Sequence, residues 1–318
     1  MNNLSLTACS IWLREKRPSK KNAIRVFNLN KEIEGKKQKY SDFFDLIRDF
    51  CLNYNNFISN KNEQKIFKIV TRNIKVEENE LFRYTYIDIN SGGYGLEADI
   101  VNTNTNKVEY TRKKEHAEMM HFRVFFAVPK GKEVYKGIIL FQNIGQYGIK
   151  TITTDYLRSF INTKLDLYTT TGNICPQVFV KKLLEYNGIN KLIYTRNNIS
   201  DDKADKENIG YGKEERIIAK FRNIDKWKEK IFSYFNGKNK IYELDDIEYT
   251  GLKMVTSIYG RERTIDINNI DRLSIIEGIP DDVKNNYGDI DDLKLKEHFI
   301  KVTGEYLENM VYNKFNEV

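Results

Sequence analysis

The sequence predicts an α+β protein: an antiparallel β meander with packed helices, a second and smaller α/β part, and a long C-terminal helix. Three observations lead to this prediction. Short apolar runs with alternating side chains recur between turn residues over 65–149, and their connections are too short for parallel crossovers. Apolar residues at helical spacing occupy 42–52, 153–165 and 290–315. A polar stretch at 199–213 separates the meander from the C-terminal third of the chain.

The N-terminal residues predict a hairpin followed by a helix. Leu4–Leu13 and Ala23–Leu29 are apolar and β-branched enough for two strands, which are joined by a basic segment containing Pro18. Ser41 is a suitable N-cap for a helix over Asp42–Leu52, because its hydroxyl can accept a hydrogen bond from the first turn. Apolar residues recur in this segment every three or four positions, so we expect one buried face.

The central block predicts the meander itself. After a short strand at 66–70, its strands are Leu81–Ile89, Leu96–Val101, Lys107–Arg112, His121–Val128 and Lys136–Asn143. Ser91-Gly92-Gly93 and Asn102–Asn106 are expected to be turns, since glycine and asparagine adopt the backbone conformations that tight turns need.

Further helices and a second sheet are predicted beyond the meander. One helix begins at Thr153 or Thr154 and ends at Leu165. The remaining elements, in order, are a helix at 177–186, strands at 191–196 and 215–221, a helix at 225–235, a hairpin of 253–259 with 264–267, a strand at 270–277 and the helix at 290–315. Because long loops without structure are uncommon inside one domain, we expect domains at 1–198 and 214–318 with 199–213 as a loop or linker.

Composition excludes several classes of protein. The chain has 318 residues, 40% hydrophobic and 13% aromatic, which is enough to bury a core although 31% are charged. It has no run of about 18 apolar residues, and residues 1–11 lack the basic start of a secretory signal. The three cysteines are widely spaced, which is typical of a reducing compartment. We therefore expect a cytoplasmic protein that makes no contact with a membrane.

The charge is distributed unevenly along the chain. Residues 1–80 hold 16 basic and 10 acidic side chains, residues 81–240 hold 27 and 18, and residues 241–318 hold 9 and 17. A cationic region of this length favours a polyanionic partner, and nucleic acid is the commonest one. The acidic C-terminal part is a candidate surface for a protein partner. The same charges are also typical of ordinary solvated faces.

Acidic residues on the predicted hairpin resemble a metal-dependent nuclease site. Nucleases of the PD-(D/E)xK kind carry an acidic residue on one hairpin strand and an acidic-x-Lys sequence on the next, where two carboxylates hold the metal. Here Glu97, Asp99 and Glu109 are the candidate acids, with Lys113 as the candidate lysine. Mg²⁺ or Mn²⁺ would be held by Asp99 and Glu109. The motif is imperfect, because Thr111 occupies the position two residues after Glu109.

Basic and polar residues near the end of the meander form a candidate nucleic-acid site. Gly145-Gln146-Tyr147-Gly148 interrupts the pattern between a strand and a helix, where backbone N–H groups can face an anion. An exposed tyrosine there can stack on a base. The candidate contacts are Arg112, Gln142, Gln146, Tyr147, Lys150 and Arg158, with Lys136 close by in sequence. No Gly-rich phosphate-binding motif is present, and glycine-rich segments are most often plain turns.

One part of the sequence resembles proteins of bacterial prophages and phage-defence loci. The run from Gly137 to Thr151, GIILFQNIGQYGIKT, is similar to segments of these poorly characterised, abortive-infection-like proteins. The strand Lys191–Arg196 with the following Asp201-Asp202 is similar to them too. The resemblance covers about a quarter of the chain and implies an antiviral setting. It carries over no catalytic residue.

These observations support three hypotheses for the function. The first is a cytoplasmic antiviral-defence-type protein, bacterial or phage-borne, that binds DNA or RNA through its basic β-rich region. The second is a divalent-metal nuclease using Glu97, Asp99 and Glu109, which is the only enzyme class that the residues indicate. The third is a protein-binding sensor or inhibitor that does not contact nucleic acid. The sequence leaves the choice among them open.

Overall fold

The computed structural model of the chain describes residues 4–16, 23–24, 40–131, 134–174, 189–196, 214–220, 242–245, 247–258, 261–267, 276–283 and 290–309. These residues are mostly antiparallel β-structure with three α-helices. The chain divides into two compact units, residues 1–172 with 275–318, and residues 173–274. This division differs from the predicted domains, because the C-terminal residues pack on the first unit.

The first unit holds most of the elements. Its strands are β1 (Leu4–Glu15), β2 (Ala23–Ile24), β3 (Ile58–Asn60), β4 (Lys65–Ile69), β5 (Glu77–Glu78), β6 (Phe82–Gly93), β7 (Ala98–Asn102), β8 (Lys107–Arg112), β9 (Glu118–Pro129), β10 (Gly137–Ile144), β11 (Tyr147–Gly148) and β12 (Leu167–Asn173). The second unit contains β13 (Lys191–Arg196), β14 (Glu214–Ala219), β15 (Tyr242–Leu244), β16 (Ile247–Tyr249), β17 (Gly251–Ile258) and β18 (Arg261–Asp266). β19 (Ile276–Gly278) belongs to the first unit again, as do the helices α1 (Phe43–Asn53), α2 (Lys150–Leu165) and α3 (Asp292–Asn309).

The main sheet has the strand order β12-β1-β10-β9-β6-β4-β3. Its strands from β3 to β10 are arranged much as they succeed one another in the chain, which agrees with a meander. β1 pairs with β2 antiparallel at Leu13↔Ile24 and Arg14↔Ala23, which agrees with the predicted opening hairpin as far as the described residues reach. β1 also pairs with β10 from Leu4↔Ile144 to Ile11↔Gly137, so this strand lies inside the sheet.

The helices α1 and α2 cover one face of this sheet. Their apolar residues join a buried cluster with Cys9, Ile11 and Leu13 of β1. The Phe43 ring of α1 lies 6.2 Å from that of Phe126 on β9. The N-cap of α1 is Asp42 and not Ser41 as predicted, because the Asp42 carboxylate accepts hydrogen bonds from the N–H groups of Phe44 and Asp45. The Ser41 hydroxyl donates to the Asp45 side chain instead.

The helix α3 covers the opposite face of the sheet. The Phe299 ring stacks on Phe125 of β9 at 5.5 Å and meets Tyr86 of β6 edge-on at 5.7 Å. Phe125 and Phe126 are consecutive, so their side chains point to opposite faces, and both are fully buried. Because helices cover both faces of the sheet, the sequences of β9 and β10 contain continuous apolar runs and do not alternate between apolar and polar residues.

The second unit is built around a separate sheet with the order β14-β13-β17-β18. β17 and β18 form the predicted hairpin, from Lys253↔Asp266 to Ile258↔Arg261. The Tyr194 ring meets Tyr249 of β16 edge-on at 5.3 Å, and both rings are fully buried. The Arg196 guanidinium lies 2.5 Å from the Glu214 carboxylate, which ties β13 to β14.

Some predicted elements differ from the structure or lie outside the described residues. Ser91-Gly92-Gly93 is the end of β6 and not a turn, because it pairs with β4 and β9. α2 begins at Lys150, before the predicted start. The predictions for 25–29, 177–186, 199–213 and 225–235 fall on residues that the structure does not describe. Across the described ranges, no helix combines the length and apolar character that crossing a membrane requires.

Candidate functional site

The β7–β8 hairpin carries two of the predicted carboxylates, and each is paired with a neutral group. Asp99 lies opposite Thr111, whose hydroxyl donates to the Asp99 carboxylate at 2.8 Å. Glu109 accepts a hydrogen bond from the Asn102 amide at 2.6 Å. The third acid, Glu97, is exposed and precedes β7. The hairpin therefore presents these acids to solvent, with Thr111 bound to Asp99 at the position where the nuclease motif has its lysine.

Lys113 lies just beyond the end of β8. Its backbone N–H donates to the ring nitrogen Nδ1 of His116 at 3.3 Å. Among the residues placed by the structure, no group of three or more His, Cys, Asp and Glu side chains could hold a metal ion. A metal at Asp99 and Glu109 would therefore depend on water or substrate oxygen atoms for its other ligands.

The residues predicted around Gly145 are partly brought together. Gln146 and Tyr147 are exposed on the tight turn between β10 and β11, where Gly145 has a φ of +58°. Lys150 begins α2 directly afterwards. Arg158 lies two turns further along α2 and forms an ion pair of 2.7 Å with Asp155. Gln146 and Tyr147 thus lie exposed next to the start of α2 at one end of β10, and Arg158 lies about 12 Å further along the helix.

Two predicted contacts are not at that surface. Gln142 is 0% exposed, and its side-chain oxygen accepts the backbone N–H of Arg123 at 2.9 Å. The Arg112 guanidinium donates to the Leu96 carbonyl and to the Glu118 carboxylate, each at 3.3 Å. Gln142 points into the sheet because β10 is buried on both faces, a feature that its polar side chain does not reveal in the sequence.

Acidic side chains nearly balance the cations in the central part of the chain. Residues 40–174 hold 18 basic and 16 acidic side chains, whereas residues 17–39 hold 8 and 2. Ion pairs within this part include Arg48–Asp45, Lys65–Glu63, Arg83–Asp42, Arg112–Glu118, Arg123–Asp88, Lys130–Glu78, Arg158–Asp155 and Lys164–Asp49. The described sheet is therefore close to neutral, and a surface with an excess of cations can occupy only a restricted place on it.

Such a place lies where β1 emerges from the sheet beside β12. Opposite the buried Ile11 and Leu13, the alternate residues Trp12 and Arg14 share the other face of β1, and Lys16 follows directly after the strand. The Lys136 ammonium lies 5.4 Å from the centre of the Trp12 ring, and Lys16 lies 5.9 Å from the Tyr168 ring. We call Trp12, Arg14, Lys16, Lys136 and Tyr168 the aromatic–lysine edge.

The aromatic–lysine edge could be found only in part from the sequence. The signal on β1 is the alternation of apolar residues with Trp12 and Arg14, followed by Lys16. Lys136 and Tyr168 lie beside β1 because β10 and β12 are its neighbours in the sheet. This strand order cannot be deduced from the sequence. Lys136 precedes β10 whereas the Gly145 turn comes after it, so the eight residues of the strand separate the two surfaces by roughly 26 Å.

A polar cluster lies between the main sheet and the start of α3. The Arg123 guanidinium of β9 lies 2.8 Å from Asp88 of β6 and 2.9 Å from Asp292 of α3. Burial raises the pKa of the Asp88 carboxyl above its ordinary value, although Arg123 acts in the opposite direction. Burial lowers the pKa of Arg123, but Asp88, Tyr86 and Asp292 outweigh it, so the pKa rises overall. Because both carboxylates contact one cation, the cluster attaches α3 to the sheet.

Comparisons with known proteins identify no relative. No protein-family model matches the chain, and neither curated proteins nor solved structures give a match. The function is therefore argued from the geometry of the chain itself.

Proposed function

We propose that the protein is a cytoplasmic antiviral-defence-type protein, bacterial or phage-borne, that binds nucleic acid through the aromatic–lysine edge. The observation that carries the proposal is the contact of lysine with aromatic rings: Lys136 over Trp12, and Lys16 over Tyr168. Aromatic rings accept bases by stacking, and ammonium groups meet the phosphates between them. The defence setting is supported by the resemblance of Gly137–Thr151 to phage-defence proteins.

The chemistry of the edge favours single-stranded DNA or RNA. Bases must be unpaired to stack on a protein ring, whereas a duplex presents only its edges and phosphates. Tyr168 is 52% exposed, so its ring is accessible to solvent. With Arg14 and Lys136 as the cations, and with Lys16 paired to the Asp166 carboxylate, about two phosphates can be contacted, which gives a slope of roughly −1.4 for log affinity against log salt.

A binding assay with matched tyrosine variants tests this proposal. Fluorescence anisotropy would follow a labelled single-stranded oligonucleotide, as DNA and as RNA, through a salt series. Tyr168→Ala is expected to weaken binding by roughly 5- to 100-fold, the range for one stacked base. Lys136→Ala is expected to weaken it and to reduce the salt slope by about 0.7.

Tyr147→Ala is the matched control, because Tyr147 is 47% exposed and Tyr168 is 52% exposed. Tyr147 lies on the Gly145 turn at the other end of β10, so its variant should bind like the wild type. Equal affinity of the Tyr168→Ala protein and the wild type would refute the proposed edge. Loss of binding in Tyr147→Ala alone would assign the contact to the Gly145 turn.

A nuclease remains the second candidate function, since Asp99 and Glu109 lie together on one exposed hairpin. Cleavage of DNA or RNA that requires Mg²⁺ or Mn²⁺ and disappears in Asp99→Ala would support it. Because the hairpin and the aromatic–lysine edge share no residue, cleavage and binding can be scored separately.

A further inference from the structure

The β7–β8 hairpin is exposed to a degree that is unusual for apolar strands. Ile100 and Tyr110 form one cross-strand pair, and Val101 and Val108 form the next. All four side chains are between 47% and 55% exposed. Consecutive residues of a strand point to opposite faces, so each face of the hairpin carries one apolar pair. The hairpin continues the β6–β9 pair through the hydrogen bond from the Gly95 N–H to the Lys114 carbonyl, and its exposed apolar pairs are suited to contact with a further strand.

The two outer edges of the hairpin differ in how they are protected. Within the described part of the chain, β7 pairs only with β8. β8 carries Lys107 and Arg112 and has a register irregularity opposite Ile100 and Val101, and charges and bulges are the usual means by which an edge is shielded from pairing. β7, with the sequence ADIVN, has Asp99 as its one charge, and the extra residue at the register shift, Glu109, lies on β8. The open edge is therefore β7.

We propose that the β7 edge pairs with β7 of a second copy of this chain, which joins the two hairpins into a four-stranded antiparallel sheet. Two-fold symmetry centred on Ile100 places Ile100 opposite Ile100 of the partner and Asp99 opposite Val101. No like charges then face each other, and like charges directly opposite destabilise a sheet. The corresponding pairing of two β8 strands would set Lys107 opposite Arg112, so β8 is disfavoured.

The segment around the hairpin is also neutral enough for self-association. Residues 96–116 hold four basic and four acidic side chains, so two copies approach without net repulsion there, although the whole chain has a charge of +7. The contact involves one short strand from each copy. Small interfaces of this kind are weak, and we expect association in the micromolar range.

Sedimentation equilibrium of the full-length protein over a wide concentration range tests the pairing. The wild type should be a reversible dimer. Ile100→Lys brings two ammonium groups together on the symmetry axis and should give a monomer, whereas Val108→Lys on β8 should remain a dimer. Circular dichroism and the melting temperature would verify that both variants are folded.

Opposite charges at Val101 test the register itself. Val101→Lys places an ammonium opposite Asp99 of each partner and should tighten the dimer, by roughly two- to thirtyfold for two such pairs. Val101→Asp places two carboxylates together and should weaken it by a similar factor. A wild type that is monomeric throughout, a monomer produced equally by Ile100→Lys and Val108→Lys, or equal weakening by the two Val101 substitutions would each overturn the proposal.

Discussion

Two neighbouring glycines at the end of β6 have different surroundings. A Cβ atom on Gly92 would lie 1.8 Å from the carbonyl oxygen of Glu118 on β9, which is backbone and cannot move aside. A Cβ on Gly93 would have no atom within 4 Å. The close approach at Gly92 holds β6 and β9 together just before the chain enters the β7–β8 hairpin.

Gly92→Ala is therefore expected to destabilise the protein, and Gly93→Ala is expected to be tolerated. Overpacking of this kind costs about 1–3 kcal/mol or more, and here the strands must separate locally. Urea denaturation of the two variants measures the difference. Equal stabilities of the two alanine proteins would show that β6 and β9 do not approach closely at Gly92.

Single-residue roles could be predicted from the sequence only where they depend on local chemistry. A cap at the start of α1 was predictable, because Ser41 and Asp42 are both good cap residues, but choosing between them needs the backbone path. The burial of Gln142 was not predictable, since it depends on α3 covering the second face of the sheet. The close contact at Gly92 was not predictable either, because it involves the backbone of Glu118 on a different strand, β9.

The attachment of α3 to the sheet depends on a charged pair near the start of the helix. The Lys296 ammonium donates to both oxygens of the Glu77 carboxylate, at 2.7 and 2.8 Å. The Tyr84 hydroxyl donates to the same carboxylate at 3.1 Å. The bonds from Lys296 lower the pKa of Glu77 below its ordinary value. The charged form of Glu77 is thus the form that binds α3.

Glu77→Gln should lower the free energy of unfolding by about 1–2 kcal/mol at pH 7. The carboxylate stabilises the fold fully above the unfolded glutamate pKa, roughly 4.3, and this contribution is lost as the pH falls through the lower pKa of the folded state. The wild type and the variant should therefore converge in acid. Urea denaturation at several pH values measures this.

Glu78→Gln is the matched control at the adjacent position. Glu78 is 62% exposed and lies 3.4 Å from Lys130, and exposed pairs of this kind contribute about 0–1 kcal/mol. A loss in Glu78→Gln as large as in Glu77→Gln, or a Glu77 effect that persists in acid, would contradict the assigned role.

Whole elements were predicted best where their partners are close in sequence. The β7–β8 hairpin was predicted within two residues at its start, because apolar alternation and the Asn102–Asn106 loop are local signals. The placement of β1 between β10 and β12 could not be predicted, since pairing with a strand more than a hundred residues away leaves no local signal. The aromatic–lysine edge was missed for this reason.

At the scale of the whole chain, the C-terminal residues complete the first unit. β19 pairs with β1 at Ser5↔Gly278 to Thr7↔Ile276, and α3 covers Phe125 and Tyr86. The sequence predicted a domain boundary in the long polar loop instead. The charge and the loop composition of the C-terminal part do not indicate which sheet that part packs against.

A chain that stops after residue 274 should therefore expose one apolar face of the main sheet. We expect such a protein to bind the dye ANS and to aggregate, since an apolar area of this size is rarely left in water. Dye fluorescence and size-exclusion chromatography measure this against the full-length protein. A truncated chain that stays monomeric and binds no dye would contradict the packing of α3 on Phe125 and Tyr86.

The return of the C-terminal residues to the first strand also has a consequence for synthesis on the ribosome. The strand and helix that complete the sheet of β1 are translated more than two hundred and fifty residues after β1 itself. Until then the nascent chain carries an uncovered apolar surface, which is the kind of surface that chaperones bind. This unit can therefore complete its fold only after β19 and α3 have been translated.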